Sequence, residues 1–335
     1  MSQGASTLLV TLVGFDDAAR GALAKLLADC SALGARWKAA SSPASDLWIV
    51  NGESARGLGH GLIAIEGDQP MQLRPAEMPH PLAFTAPLDR SVQTSHCFDG
   101  TSMHALNVML TQLGRWLTPR LVQQALVAHL VANGASFTRS NVIHVRQGHR
   151  LLALVDFSGE TAVAPDTTPA DLCHADWQLH ERAHAFIPPG FRTAPTELVL
   201  WRYATRSDQS LPLPARYLRL PIYLRRVPAL APRELSDRQL HIVRELAYGP
   251  YTLSELSQRT GSAPSVLKRE LAALYLISVV TCDPGRSRAA REQRRGGART
   301  QEELSFIGAR PSVGHELTAP GLHPAAQRPN CGVQP

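Results

Sequence analysis

The apolar run Leu47–Val50 is flanked by two side chains that could take part in chemistry, Asp46 before it and Asn51 after it. A short apolar run between turn-forming residues is typical of a buried strand in a parallel sheet. In doubly wound folds, ligands and catalytic groups lie where such strands end. Asn51 occupies that position. Because its side chain is a neutral amide, it can act neither as a carboxylate nucleophile nor as an anionic ligand of Mg²⁺.

A second candidate is the spacing H-E-x-x-H formed by His180, Glu181 and His184. On a helix this spacing places both imidazoles on one face as zinc ligands, with the glutamate as general base. Three nearby side chains could complete a ligand set: Cys173, His174 and Glu197. Arg182 places a charge inside the motif, and no third histidine follows it closely. We therefore expect no metal and no cofactor, and a zinc-dependent hydrolase using His180 and His184 stays an alternative.

The composition is that of an ordinary globular protein. The chain has 335 residues, 44% of them hydrophobic and 19% charged, which allows two or three domains. Its five cysteines are scattered and form no paired motif, as expected for free thiols in a reducing compartment. No apolar run approaches the length of a membrane span. These features predict a cytoplasmic protein that does not act at a membrane.

The positive charge is concentrated near the C-terminus. Residues 285–300 contain a single acid, Glu292, and six arginines: Arg286, Arg288, Arg291, Arg294, Arg295 and Arg299. This stretch carries +5 of the net charge of +6, so the rest of the chain carries only +1. The basicity is a property of the tail and says little about the remaining chain.

Elements of an open parallel α/β sheet are expected to position Asn51. Four apolar runs read as its strands: Leu8–Val13, Leu47–Val50, 61–65 and 81–85. Between the first two, apolar residues at helical spacing predict a helix that Asp16 or Asp17 can cap. The region 35–40 has no clear pattern.

The third-strand pattern resembles the receiver domain of bacterial response regulators. In a receiver, this strand reads as an aspartate, four apolar residues and the aspartate that is phosphorylated. Here Asp46 and Leu47–Val50 are followed by Asn51. A receiver's fifth strand ends in Lys-Pro, and here the matching pair is Ala86-Pro87. The resemblance covers residues 1–92 and implies a doubly wound parallel sheet.

The first strand completes the resemblance and departs from it in the same way. A receiver's first strand ends in two acids that bind Mg²⁺, and these places fall on Gly14 and Phe15, with Asp16 and Asp17 just beyond. The resemblance thus implies a degenerate receiver that lacks the nucleophile, the metal ligands and the lysine. Another small α/β domain is the alternative. A dinucleotide-binding fold is disfavoured because the loop after the first strand lacks the required glycines.

The middle residues, 98–230, predict an α+β module. Met103 to Val131 has helical stripes with a break at Pro119, and Gly134 ends it. Two strands follow, 141–145 and 151–155, joined by a polar turn. Helices are expected at 172–186 and 196–205.

The joining turn also resembles part of a known ligand site. Arg146 and Arg150, followed by Asp156-Phe157-Ser158-Gly159, resemble the arginine pair and Asp-x-Ser of PilZ-type cyclic-di-GMP binders. In that family the arginines lie well before the Asp-x-Ser strand, whereas here only five residues intervene. A polar hairpin turn is the simpler interpretation, and ligand binding by this module stays undecided.

Residues 231–283 resemble a winged helix-turn-helix. The capping boxes Ser236–Gln239 and Thr252–Glu255 predict two helix starts. A third helix is expected near Pro264, and then a strand at 276–281. This order of elements is that of a winged helix.

Nucleic-acid contact by this module would use basic and polar side chains. Five candidates are Ser265, Lys268, Arg269, Arg286 and Arg288. Glu270 adjoins the first three, and residues 231–283 hold as many acids as bases. This balance of charge is equally consistent with a winged helix that contacts protein.

Four regions are predicted: a pseudo-receiver domain (1–92), a middle α+β module (98–230), a small winged-helix domain (231–283) and a basic disordered tail (284–335). The function expected from them is that of a non-enzymatic bacterial signalling regulator or adaptor, which docks partner proteins and contacts DNA at most through its winged helix. A sequence-specific transcriptional regulator is the first alternative. The partner, the pathway and the oligomeric state do not follow from the sequence.

Overall fold

The computed structural model describes residues 6–40, 45–67, 70–92, 94, 96–133, 141–181, 186–207, 211 and 213–288. All of the described residues belong to one compact unit, Met1–Arg288. Of the tail predicted to be disordered (284–335), the structure describes residues 284–288, and the residues after Arg288 lie outside the described part.

The N-terminal part contains, in chain order, β1 (Thr7–Val13), α1 (Asp17–Asp29), β2 (Arg36–Ala39), β3 (Leu47–Val50), β4 (Ala55–Gly59), β5 (Leu62–Ile65), β6 (Met71–Leu73), β7 (Leu82–Thr85) and β8 (Cys97–Phe98). Five of these strands form one sheet in the order β2-β1-β3-β7-β8, and every neighbouring pair is parallel. All residues of β3 and β7 are buried, as parallel strands covered on both faces require. The predicted α/β class with a parallel sheet is confirmed.

The two faces of this sheet are covered differently. On one face, Leu23 and Leu27 of α1 pack with Leu8, Val10 and Ile49 of the sheet. On the other face, the strands β4, β5 and β6 form an antiparallel sheet that covers the core. In the described residues, helices therefore cover one face only, which corrects the prediction of a doubly wound sheet with helices on both.

The run 61–65 is not a strand of the parallel sheet. It forms β5, which pairs antiparallel with both β4 and β6. Gly59, His60 and Gly61 all have positive φ and close the β4–β5 hairpin. Burial alternates along β5, whereas β3 is buried throughout. Alternation is the pattern of an antiparallel strand with one covered face, and it separates the two cases.

Two consecutive helices connect the sheet to the rest of the chain, α2 (Met103–Gln112) and α3 (Gly114–Ala132). The chain turns at Leu113 (φ −79°, ψ 0°), and Pro119 lies inside α3, so the predicted break at Pro119 is wrong. Gly134 lies outside the described residues. Leu117 and Leu121 pack on the parallel sheet, while other residues of α3 enter two further cores. Helix α3 is thus shared by three cores.

The middle sheet consists of β9 (Asn141–Gln147), β10 (Arg150–Asp156), β11 (Glu160–Val163), β12 (Asp176–Glu181) and β13 (Arg192–Pro195). Its order is β12-β9-β10-β11-β13, with antiparallel pairing throughout. The predicted hairpin of β9 and β10 is confirmed, with Gly148 at φ +58° in its turn.

The predicted helix at 172–186 is wrong. Asp171–His174 form a 3₁₀ turn and Asp176–Glu181 form the edge strand β12. Residues 182–185 lie outside the described part. Trp177 and Leu179 pair with Val145 and Ile143 of β9, so strand pairing overrides the apolar spacing that suggested a helix.

The C-terminal part contains α4 (Thr196–Arg206), β14 (Tyr223–Leu224), α5 (Asp237–Tyr248), α6 (Leu253–Thr260), α7 (Pro264–Leu276) and β15 (Val280–Thr281). Both capping boxes are present, and Gly261 ends α6 in the left-handed region at φ +63°. Only Val280–Thr281 of the predicted strand 276–281 are extended. The strand β15 pairs antiparallel with β14, which precedes the three helices.

Candidate functional site

The carboxyl edge of the parallel sheet brings together three of the predicted positions. Asn51 Nδ2 donates to the carbonyl oxygen of Gly14 at 3.0 Å. Asn51 Oδ1 accepts from Glu53 N at 3.2 Å and from Thr85 Oγ1 at 3.5 Å. Ala86 follows directly after Thr85 and is exposed. The amide of Asn51 is thus a structural group that bonds to the loops after β1 and β3 and to the last residue of β7.

The loops at this edge touch each other closely. A Cβ on Gly52 would overlap the carbonyl oxygens of Thr85 and Pro87. A Cβ on Gly14 would overlap Ser54 Oγ, and Gly14 has φ +74°. Gly52 is required because the backbone of the loop after β7 approaches too closely for a side chain, and Gly14 because of its positive φ.

The acids nearest this edge serve the helix that follows β1. Asp16 Oδ1 accepts from Ala19 N at 2.7 Å and is the N-cap of α1, as predicted. Asp17 forms an exposed ion pair with Arg20 at 3.1 Å. Phe15 is buried in the core beneath α1. The side chains at the predicted positions Asn51 and Ala86 are neutral, and the nearby acids Asp16 and Asp17 are engaged by α1.

The amino edge of the same sheet contains a buried charged cluster. Asp46, with a side chain 0% exposed, accepts from Arg120 Nη1 at 2.9 Å and from Arg206 Nη1 at 2.6 Å. The backbone N–H of Leu9 also donates to Asp46 Oδ2, at 3.0 Å. Burial alone would raise the pKa of Asp46, but the charges of the two arginines hold it below its ordinary value. Asp46 thus stays ionised and joins β3 to α3 and α4.

His80 lies beside this cluster as a neutral imidazole. Its ring stacks on Trp48 with centroids 5.0 Å apart. His80 is 7% exposed. Burial, together with the positive charge of Arg120, lowers the pKa of His80 to about 4. His80 therefore adds no charge to the cluster near neutral pH.

The sequence singled out Asp46 as the entry to a strand but missed both of its partners. Arg120 and Arg206 lie 74 and 160 residues away along the chain. The available signal was the aspartate itself, because an acid next to a fully buried strand needs a cation or several donors. That signal does not name the partner.

The zinc motif does not have the geometry that the alternative requires. His180 lies on the strand β12, and its ring is 4.4 Å from that of His144 on the neighbouring strand β9. His184 lies outside the described residues. Glu197 is engaged by Arg226 at 2.7 Å. Within the described ranges, no group of three or more His, Cys, Asp or Glu side chains is placed to hold a metal ion.

The PilZ-like residues are not gathered in one site. A cleft of about 450 Å³ is lined by Phe157, Ser158 and Gly159 together with residues of α4 and the end of α7. Neither Arg146 nor Arg150 lines it. Arg150 instead pairs with Asp166 at 2.6 Å.

The residues expected to contact nucleic acid are all exposed, but two of them, Arg269 and Arg286, are bonded to other groups of the chain. On α7, Arg269 Nη2 donates to the carbonyl oxygen of Ser207, at the end of α4, at 3.0 Å. Glu270 accepts from Gln239 at 2.7 Å. Ser265 and Lys268 are exposed on the same helix. Arg286 pairs with Asp283 at 3.3 Å.

Arg288, the last of the predicted contacts, is exposed at the end of the described chain.

No described helix is both long enough and apolar enough to cross a membrane. Comparison with protein-family models, with curated proteins and with solved structures gives no match for this chain.

Proposed function

We propose that this chain is a non-enzymatic, cytoplasmic bacterial regulator that docks partner proteins through a receiver-like domain unable to accept a phosphoryl group. The observation that carries the proposal is Asn51. Asn51 follows the buried strand β3, and both the Nδ2 and the Oδ1 of its side chain form hydrogen bonds with the surrounding loops. An amide in that place supplies no nucleophile.

The strand order supports the receiver-like part. Without the inserted antiparallel sheet, the parallel strands follow the order 2-1-3-4-5, one of the two common orders of doubly wound folds. In that order the crevice for ligands lies beside the first and third strands, where Gly14 and Asn51 meet. The insertion of β4–β6 is a departure from the receiver pattern.

Docking is favoured over sequence-specific DNA reading. A reading helix presents free polar groups to base edges, whereas Arg269 of α7 is bound to the end of α4 and Glu270 adds a negative charge. In addition, the one strand described after α7 pairs with β14 and not with a following strand of a wing. A transcriptional regulator is the second candidate, supported by the helix order of α5, α6 and α7.

The experiment treats the full chain with acetyl phosphate and Mg²⁺ and measures its intact mass. We expect no phosphoryl adduct in the wild type. We also expect none in Asn51→Asp, because neither paired acids nor a lysine at position 86 are supplied. A hydroxylamine-labile adduct on the wild type contradicts the proposal.

A capture experiment tests the docking part. The tagged chain is used to capture proteins from its native cell, before and after acetyl phosphate treatment. The same specific partners are expected in both samples, since no phosphorylated state exists. Partners that appear only after the treatment, or the absence of any specific protein partner from both samples, argue against the proposal.

A further inference from the structure

A second basic surface arises where two distant segments meet. Residues 211–230 contain four arginines and no acid, a feature that the basic tail obscures in the overall charge. Because β14 pairs with β15, the short turn Ala215–Leu218 lies beside the chain that leads into the tail. Together they line a cleft of about 260 Å³, formed by Arg216, Leu220, Thr281, Cys282, Asp283 and Arg286.

The arginines of this cleft are held in place but keep their charge available. The guanidinium of Arg216 lies 5.7 Å from the ring of Tyr217. That ring is fixed in turn, because it is 1% exposed and its hydroxyl donates to the carbonyl oxygen of Val280 at 3.1 Å. Arg219 is exposed on the next turn of chain. Neither Arg216 nor Arg219 forms an ion pair within the described part of the chain.

Among the described residues that line the cleft, one is an acid. Asp283 lines the cleft and pairs with Arg286 at 3.3 Å, with side chains 54% and 68% exposed. An ion pair so exposed contributes little and exchanges readily for another partner. The cleft is therefore net positive, with two arginines against one acid. Arg219, which precedes the lining residue Leu220 in the chain, and Arg288, two residues after Arg286, add further charge close by in the sequence.

We propose that this cleft binds the phosphodiester backbone of a nucleic acid, independently of base sequence. Guanidinium groups match phosphate oxygens in two-pronged geometry, and contacts to phosphates position a protein without reading bases. The cleft includes neither the carboxyl edge at Asn51 nor any residue of α7. Binding there adds a function to the proposed one.

The stretch that follows the cleft residues in the sequence suits a nucleic acid better than an anionic membrane. Arginines 291, 294, 295 and 299 follow Arg288, and residues 289–299 contain no large apolar side chain. Binding at a lipid surface scales with buried apolar area as well as with charge. A long arginine-rich stretch without insertable side chains instead matches the repeating charge of a phosphodiester chain.

The test measures binding of the full chain to a short fluorescein-labelled DNA duplex of arbitrary sequence by anisotropy over a range of salt concentrations. Each phosphate neutralised contributes about 0.9 to the slope of log affinity against log salt. We expect Arg216→Gln/Arg219→Gln to lower that slope by about 1.8 and to weaken binding to all sequences alike. The matched control Arg56→Gln/Arg74→Gln removes the same charge from the antiparallel sheet and the turn after it, and we expect it to leave the slope unchanged.

Two further variants separate the cleft from the tail and from misfolding. In a full chain with glutamine at positions 291, 294, 295 and 299, the Arg216→Gln/Arg219→Gln change is expected to cause the same loss in slope. Arg216→Lys/Arg219→Lys keeps the charge and is expected to retain the slope. If the double glutamine variant fails to melt cooperatively, Arg219→Gln alone is expected to lower the slope by about 0.9.

Three outcomes overturn the proposal. The first is equal slopes for the cleft variant and the matched control. The second is no DNA binding by the full chain at low salt. The third is binding to phosphatidylserine vesicles without binding to DNA, which assigns the cleft to a membrane surface.

Discussion

The two edges of the parallel sheet use their polar side chains in opposite ways. At the carboxyl edge, Asn51 is neutral and bonds to the backbone of neighbouring loops. At the amino edge, Asp46 is ionised and bonds to two arginines from α3 and α4. The carboxyl edge, where doubly wound folds place their chemistry, has a neutral amide at Asn51. The amino edge has a buried carboxylate at Asp46.

The buried charge of Asp46 has a structural role, because it connects β3 to α3 and α4. Arg120, its partner from α3, also donates to the carbonyl oxygen of Pro79. Removing one partner of a buried pair costs about 3–5 kcal/mol, against about 0.5–1.5 kcal/mol for an ordinary hydrogen bond. The amino edge should therefore contribute more to stability than the carboxyl edge.

The largest effect is expected for Asp46→Ala. It leaves Arg120 and Arg206 buried without their carboxylate, so the free energy of unfolding should fall by roughly 3–5 kcal/mol, as measured by urea denaturation. Because the folded pKa of Asp46 lies below its ordinary value, this contribution is present above pH 3.8 and is lost as the pH falls through the folded pKa.

The control for that change is an exposed pair. Glu77 pairs with Arg74 at 3.1 Å, and both side chains are more than half exposed. Glu77→Ala should change the free energy of unfolding by no more than about 1 kcal/mol. Equal effects of the two variants would mean that the amino edge is not held by its charges.

A smaller effect is expected from His80, and it depends on pH. The pKa of His80 is about 4 in the folded chain and 6.5 ordinarily, so between these values the unfolded chain binds one more proton. Stability should rise with pH across this window by roughly 2–4 kcal/mol. His80→Phe keeps a ring on Trp48 but cannot titrate, so its stability should depend less on pH. Identical pH profiles for the two chains, measured by urea denaturation, contradict a buried neutral His80.

Apart from the exposed control pair, the smallest effect is expected at the carboxyl edge. Asn51→Asp replaces the donor to the carbonyl oxygen of Gly14 by an acceptor, and should lower the free energy of unfolding by about 1–2 kcal/mol at neutral pH. The loss should shrink in acid, where a protonated carboxyl can donate again. A variant as stable as the wild type at neutral pH would show that this edge tolerates a carboxylate at position 51, and would favour a ligand-binding role for the edge.

Local structure followed from local pattern. The capping boxes at Ser236 and Thr252, the cap at Asp16 and the β9–β10 hairpin depend on residues only a few positions apart, and each is present. The run Leu47–Val50 was readable as a buried strand because it is apolar throughout. The apolar spacing around Leu172 misled, since β12 satisfies the same residues by pairing with β9.

By itself, then, the sequence determined the α/β class, the neutral side chain at the end of β3 and the starts of the C-terminal helices. Only the tertiary structure decided that an antiparallel sheet covers the second face, that Asp46 meets Arg120 and Arg206, and that Arg216 and Arg286 share one cleft. The physical reason is separation along the chain. Caps and turns are fixed by neighbours, whereas a buried charge or a basic cleft depends on which remote segments pack together, and no local pattern encodes that choice.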